Sequence, residues 1–333
     1  MMILMKNRTS KITKIVIIII ALLFVIFGVV VFLKRQWILD FFRGIDYQPS
    51  SEMAKIRDSL ELTDAGDFLF KASRPVLSER ELFNEKCRTD SDADVAVLGC
   101  YVEQVIFVYD IREEELDGIR ELTAAHELLH AVYARMSDEE KKTYLPLLLE
   151  IYNKNKDVLE EDVGHYAESQ KNEELFVRSG TEIRDLPSAL EKKYAETFKD
   201  RKRIVSYYES YIAVFRKIED EMEELKNRMT QLDTEIDSKS TAYESSVTQL
   251  NADIISFNSC AEVIGCFSSE AEFNSRRAQL VNSGDELSAL YDEIGRMIEE
   301  YNQLVDQYNN DLLYGQKLQQ IINSNQKPNA PEE

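Results

Sequence analysis

From Ser188 to about Asn258 the chain contains neither proline nor glycine. This stretch restricts the fold more than any other, because a long polar segment without those breakers settles as helix. Its apolar positions are Tyr211, Phe215, Ile218, Met222, Leu225, Met229, Leu232 and Ile236, in steps that alternate four and three. That spacing is a heptad seam, and a helix carrying one buries it against another helix. The seam slips by one residue after Lys239 and Tyr243, then resumes at Val247, Leu250, Ile254 and Phe257. Such a slip locally changes the supercoil. Asn258 to Ser269 breaks the pattern, and Leu287, Leu290, Ile294, Met297, Tyr301, Leu304 and Tyr308 restore it. Two heptad helices joined by a short break predict an antiparallel coiled-coil hairpin over 188–322, with its tip near 258–269. Each arm would be about 75 Å long. A parallel homodimer with a flexible break fits the same pattern, so self-association or a protein partner through the coil stays open.

Ile15 to Leu33 is an unbroken apolar run. As a helix it spans about 28 Å, close to the roughly 30 Å of a bilayer core. A cleavable signal peptide has a shorter apolar region, about 7–15 residues, ahead of small residues. Here Lys34-Arg35-Gln36-Trp37 follows instead. The expectation is an uncleaved single-pass anchor in the cell membrane at 15–33, between a cytoplasmic N-terminus at 1–14 and a linker at 34–50. Lys6, Arg8, Lys11 and Lys14 precede the run, and Lys34, Arg35 and Arg43 follow it. That bias favours the N-terminus inside.

The cysteines agree. Cys87 lies near Cys100, and Cys260 near Cys266, with none left over. Two close pairs without CxxC spacing predict two disulfides in an oxidising compartment, not a cysteine zinc site. The bulk of the chain is therefore expected outside the cytoplasm. The formal charge of −21 argues against nucleic acid, whose phosphates need a basic face.

Between the anchor and the coil, 51–187 reads as a separate domain. Ser51 is placed to cap a short helix from Glu52 to Leu62. Thr63 to Asp67 reads as a turn, Phe68 to Ala72 as a short strand broken at Arg74-Pro75, and Leu77 to Lys86 as weakly helical. Val95 to Val102 and Gln104 to Tyr109 are rich in β-branched and aromatic residues. They predict a hairpin around Gly99-Cys100, or one longer strand with a bulge. A helix from about Ile119 to Met136 should follow. Ser137 with Glu140 forms a capping box for the next helix, Asp138 to Lys156. Glu168 to Ser179 reads as a helix ended by Gly180. Residues 323–333 read as a disordered tail. The whole is α+β, mostly α, with a small sheet.

The chemistry lies in Ala124-Ala125-His126-Glu127-Leu128-Leu129-His130-Ala131. On a helix, His126 and His130 emerge one turn apart on the same face. Their imidazoles can then meet one Zn²⁺, with Glu127 beside them as general base. Only three histidines occur in the chain, and two are used here. A catalytic zinc site needs a third protein ligand. The candidates are Glu174, on a second helix, Glu182, as a ligand or as a brace for a histidine, and His165.

At these residues the chain resembles the HExxH zinc metallopeptidases, the zincins, and among them the glutamate-ligand gluzincins. The resemblance covers roughly 95–185, and it favours Glu174 as the third ligand, since that group carries its carboxylate on a second helix facing the motif helix. It implies a zincin-like catalytic domain that hydrolyses peptide bonds, with Glu127 taking a proton from zinc-bound water. It also implies an edge strand above the motif helix that would hold an extended protein or peptide substrate, here Val105 to Tyr109. Tyr101, Tyr109, Tyr166 and Arg178 are candidates to steady the oxyanion. The chain departs from the group's common Asn-Glu-x-x-Ser-Asp pattern, having Arg178 four residues beyond Glu174. The competing expectation is a non-catalytic envelope adaptor in which the coil is the function and the zincin-like domain is degenerate.

Overall fold

The side chain of Ser50 accepts a hydrogen bond from the Met53 amide, and that of Thr63 accepts one from the Gly66 amide. Each satisfies a donor that a helix start leaves open, and each opens a short helix. A computed structural model describes residues 19–20, 22–87, 97–163 and 168–323. The elements before the motif are α1 (Leu22–Leu33), α2 (Arg35–Ile45), α3 (Ser51–Ser59), α4 (Asp64–Ala72), β1 (Val76–Ser78) and α5 (Arg80–Cys87). Then come β2 (Gly99–Val102), β3 (Val105–Tyr109), α6 (Ile119–Tyr133), α7 (Asp138–Lys154), α8 (Lys156–Val163) and α9 (Glu168–Glu182). The series ends with α10 (Ser188–Tyr194), α11 (Arg201–Ala261) and α12 (Glu270–Ile322). The chain is mostly helical with one three-stranded sheet, the α+β class expected of it.

The sheet order is β1-β3-β2. β3 pairs parallel with β1 and antiparallel with β2, so it is the central strand. The hairpin turn between β2 and β3 falls at Glu103 and Gln104, which both have positive φ. The turn expected at Gly99-Cys100 is therefore displaced, and those two residues belong to β2. Cys100 is bonded to Cys87, which ties the end of α5 to this strand. Residues 88–96, including the start of the expected Val95 strand, lie outside the described residues.

α6 is the axis of the first compact unit, which comprises Met1–Val214 with Gln319–Glu333. Ala124, Ala125, Leu128, Leu129 and Ala131 are fully buried. α9 packs along one side of α6, and β2 and β3 along another. Around it close Phe70, Ile106, Phe176, Tyr194 and Phe198.

Four local expectations are corrected. Phe68 to Ala72 is helix, because the Thr63 cap and the acidic first turn of Asp64 and Asp67 start α4 where a turn and strand were expected. Leu77 is in β1, and only the later part of its segment is helical. The expected linker at 34–50 carries α2, which is docked on the unit through Asp40 and Arg43. The helix expected from Ser188 onward is interrupted between α10 and α11. There Thr63 N–H donates to Thr197 O and Lys199 N–H to Glu61 O, so tertiary hydrogen bonds override helix propensity.

Gly180 does not end α9 either. A Cβ there would lie 2.4 Å from Leu129 Cδ1 and 2.8 Å from Tyr194 Cε1. At Gly180 α9 passes close against the core, and the helix continues to Glu182. The Ser137–Glu140 capping box is present as expected.

The second compact unit is Phe215–Leu318. Arg228 meets Glu300, Lys239 meets Glu293, the rings of Tyr243 and Tyr291 lie 5.8 Å apart, and Phe257 packs on Phe273. One partner's number rises as the other's falls, which defines an antiparallel hairpin. Leu232 and Ile294, both seam positions, are buried. Cys260–Cys266 closes the tip.

Among the described residues no single helix is long and apolar enough to cross a membrane. Residues 15–18 and 21 of the expected span lie outside those residues. Tyr166, His165 and the tail at 324–333 lie outside them as well.

Candidate metal centre

α6 begins at Gly118, whose φ of +88° suits glycine. Eight residues on, His126 and His130 project from the same face toward α9, with ring centroids 5.1 Å apart. α9 answers with Glu174. Its Oε1 lies 3.5 Å from His126 Nε2, and its Oε2 lies 3.5 Å from His130 Nε2. One donor atom from each residue falls within 4.8 Å of the others. Donors about 2.0–2.1 Å from a tetrahedral ion stand about 3.3 Å apart, so this spacing suits a small divalent metal. Two imidazoles and a carboxylate are also a donor set such an ion accepts. The group of His126, His130 and Glu174 could therefore hold a metal ion.

The surroundings fix these donors. Arg178 Nε donates to Glu174 Oε1 at 2.8 Å, and Arg178 Nη1 donates to Glu182 Oε1 at 3.0 Å. Residues 174, 178 and 182 share a face because α9 runs through Gly180. Glu182 thus holds the arginine that holds Glu174, and it does not join the donor cluster. His130 Nδ1 lies 2.8 Å from Glu173 Oε1. That contact aims Nε2 at Glu174, as a carboxylate behind a ligating histidine does.

Electrostatics separate the two rings. Burial, followed by the neighbouring His130 and Arg178, holds His126 well below the ordinary histidine range. Burial also works against charge on His130. The hydrogen bond to Glu173 and the nearby carboxylates of Glu127, Glu174 and Glu173 outweigh it and raise His130 to about 9.

Glu127 is 5% exposed. Burial pushes its carboxyl up to about 7, with Glu174 and Glu173 adding to the rise against His130. It sits against the start of β2. A Cβ at Gly99 would lie 2.7 Å from Glu127 Oε1 and 2.6 Å from Thr123 Cγ2. Glycine at 99 is what lets the strand pass this close.

The strand beside the site is therefore β2. β3, expected as the edge, is paired on both sides, and among the described residues β2 is an outer strand, as is β1 on the other side. Of the oxyanion candidates, Arg178 is engaged by Glu174 and Glu182, and Tyr109 is buried against Phe83. The Tyr101 hydroxyl accepts a hydrogen bond from Arg135 Nη1 at 2.8 Å.

Sequence reasoning missed Glu173, Gly99, and the pair of Asp40 with Arg135. Arg135 donates to both carboxylate oxygens of Asp40, at 2.7 and 2.8 Å. The tandem Glu173-Glu174 was a visible signal for the first. The other two depend on contacts between distant segments. No protein-family model, curated protein or solved structure matches the chain.

Proposed function

We propose that the chain is a membrane-anchored, outward-facing peptidase of the glutamate-ligand zincin type, acting on a protein or peptide. One observation carries this reading. His126, His130 and Glu174 converge within metal-binding distance while Glu127, the residue after the first ligand, is buried beside them. Zinc fits the donor set, and when bound it would polarise a carbonyl and acidify water.

The remaining work belongs to the chain's own groups. Glu127, buried beside the three donors, is placed to take a proton from attacking water and return it to the departing amine. β2 offers an outer edge on which an extended peptide can add its main-chain hydrogen bonds, next to Gly99 and Glu127. Glu173 and Arg178 keep His130 and Glu174 in place without entering the site. The disulfide between Cys87 and Cys100 fits an oxidising compartment and stiffens the strand.

The deciding experiment purifies the full chain, measures zinc, and follows cleavage of a peptide library by wild type and Glu127→Gln. Wild type should carry about one equivalent of zinc, the number one such site holds. The variant should keep the metal and lose cleavage by about 10²–10⁴-fold. A wild-type protein that takes up no zinc would point to the adaptor alternative, in which the coil of the second unit is the function.

A further inference from the structure

α2 carries an apolar face that its own unit leaves largely exposed, with Trp37 at its margin stacking on Phe68 of α4 at 5.9 Å between ring centroids. Trp37 is 56% exposed, Phe41 41%, Phe42 66% and Ile45 61%, and Ile38 lies between them. At 100° per residue these five side chains occupy one arc of about 140°. The opposite side of the helix is fastened to the unit. Asp40 is buried against Arg135, Arg43 Nε donates to Ala72 O, and Arg43 Nη2 donates to Gln104 O at the β2–β3 turn. A Cβ on Gly44 would lie 3.2 Å from the Ala72 backbone nitrogen, so this side packs tightly.

Directly before α2 comes α1, whose Leu22, Phe24, Phe27, Phe32 and Leu33 are all exposed. The two helices bend by 66° at Lys34. The exposed apolar surface therefore continues from one helix to the next and turns a corner, with Lys34 and Arg35 at the turn.

We propose that α2 is an interfacial helix. It lies along the outer headgroup boundary of the membrane entered by α1, with Trp37, Ile38, Phe41, Phe42 and Ile45 immersed. This rests on the membrane-anchor part of the function proposed above. α2 does not extend the span, because Asp40 and Arg43 are tied to protein groups along its other side. Aromatic rings favour the headgroup level, and an amphipathic helix there sinks its apolar face by about 5–10 Å. Lys34 and Arg35 at the bend suit lipid phosphates.

The consequence is positional. Arg135, which grips Asp40, lies in the turn just after α6, five residues past His130. The metal centre is thereby held close to the membrane surface. Its natural substrates are then polypeptide segments that run beside a membrane, such as the juxtamembrane stretches of other membrane proteins.

Trp37 is the only tryptophan, so its fluorescence reports α2 alone. The full chain is reconstituted in phosphatidylcholine vesicles whose acyl chains carry bromine near the headgroups or near the bilayer centre. Shallow bromine should quench Trp37 at least twofold more than deep bromine, and aqueous acrylamide should quench it weakly. Phe42→Glu with Ile45→Glu should raise acrylamide quenching severalfold while zinc content stays at the wild-type level. Free access of acrylamide to wild-type Trp37 without lipid quenching would overturn the proposal. So would stronger quenching by deep bromine, or cross-linking between copies at position 42 in place of lipid quenching. A chain that does not float with the vesicles would defeat the anchor itself, and loss of peptide cleavage would defeat only the peptidase reading.

Discussion

Glu173 Oε1 lies 2.8 Å from His130 Nδ1, on the side of the ring away from the site formed with His126 and Glu174. Two neighbouring glutamates on α9 therefore have separate tasks. Glu174 faces the cluster, and Glu173 orients a member of it.

That division predicts the outcome of Glu173→Gln. The amide keeps the shape of the side chain but weakens its hold on His130. Loss of such a carboxylate partner typically costs 10–100-fold in metal affinity. Chelator-competition titration of the full chain should find a loss in that range, with the circular dichroism spectrum unchanged. An affinity equal to wild type would mean that Glu173 only decorates the surface of α9.

Gly99 gives a prediction of the opposite kind. Its α-carbon faces Thr123 and Glu127 with no space for a methyl group, a Cβ falling 2.6 and 2.7 Å from their atoms. Gly99→Ala must push Glu127 aside or displace β2. Overpacking of this sort costs about 1–3 kcal/mol of stability. Glu127 is not a ligand in this site, so zinc content should persist while peptide cleavage falls at least as steeply as stability. A variant with full cleavage would show that β2 moves freely over α6.

Legibility in the sequence followed the range of the forces involved. The heptad hairpin and the capping box were readable because their partners sit at fixed short intervals. The pairing of His126 with His130 was readable for the same reason, being one turn of helix. The third donor, Glu174, is marked in the sequence only through the resemblance to the glutamate-ligand zincins, since it depends on α9 packing against α6, which brings it into the cluster. Gly180 misled because a glycine near a helix end normally marks a stop, whereas here it answers to Leu129 and Tyr194 across the core. Phe198 misled similarly, since its bridge to Leu62 interrupts a stretch with uninterrupted helix propensity. α2 was hidden because its anchor, Asp40 on Arg135, joins residues 95 positions apart.

Asp110 provides a pH test of the scaffold under the site. It follows β3 directly, and its carboxylate accepts hydrogen bonds from Arg112 Nε at 2.9 Å and from Arg120 Nη1, at the start of α6, at 3.1 Å. Burial alone would push this carboxyl up, but the two arginines outweigh it and hold it below the ordinary aspartate range. A depressed folded-state value means that the unfolded chain binds the proton more readily. The resulting stabilisation is complete above the unfolded value, about 3.9 for aspartate, and disappears as pH falls through the lower folded value. Arg112 is largely exposed, so solvent screens its share, and the net contribution should be about 1 kcal/mol. Urea denaturation of wild type and Asp110→Asn should therefore differ by a constant amount between about pH 6 and 8, with the gap starting to close as pH falls below about 4 and vanishing only below the depressed folded value. A gap that widens with acid would reverse the assigned sign and remove Asp110 as a clamp between β3 and α6.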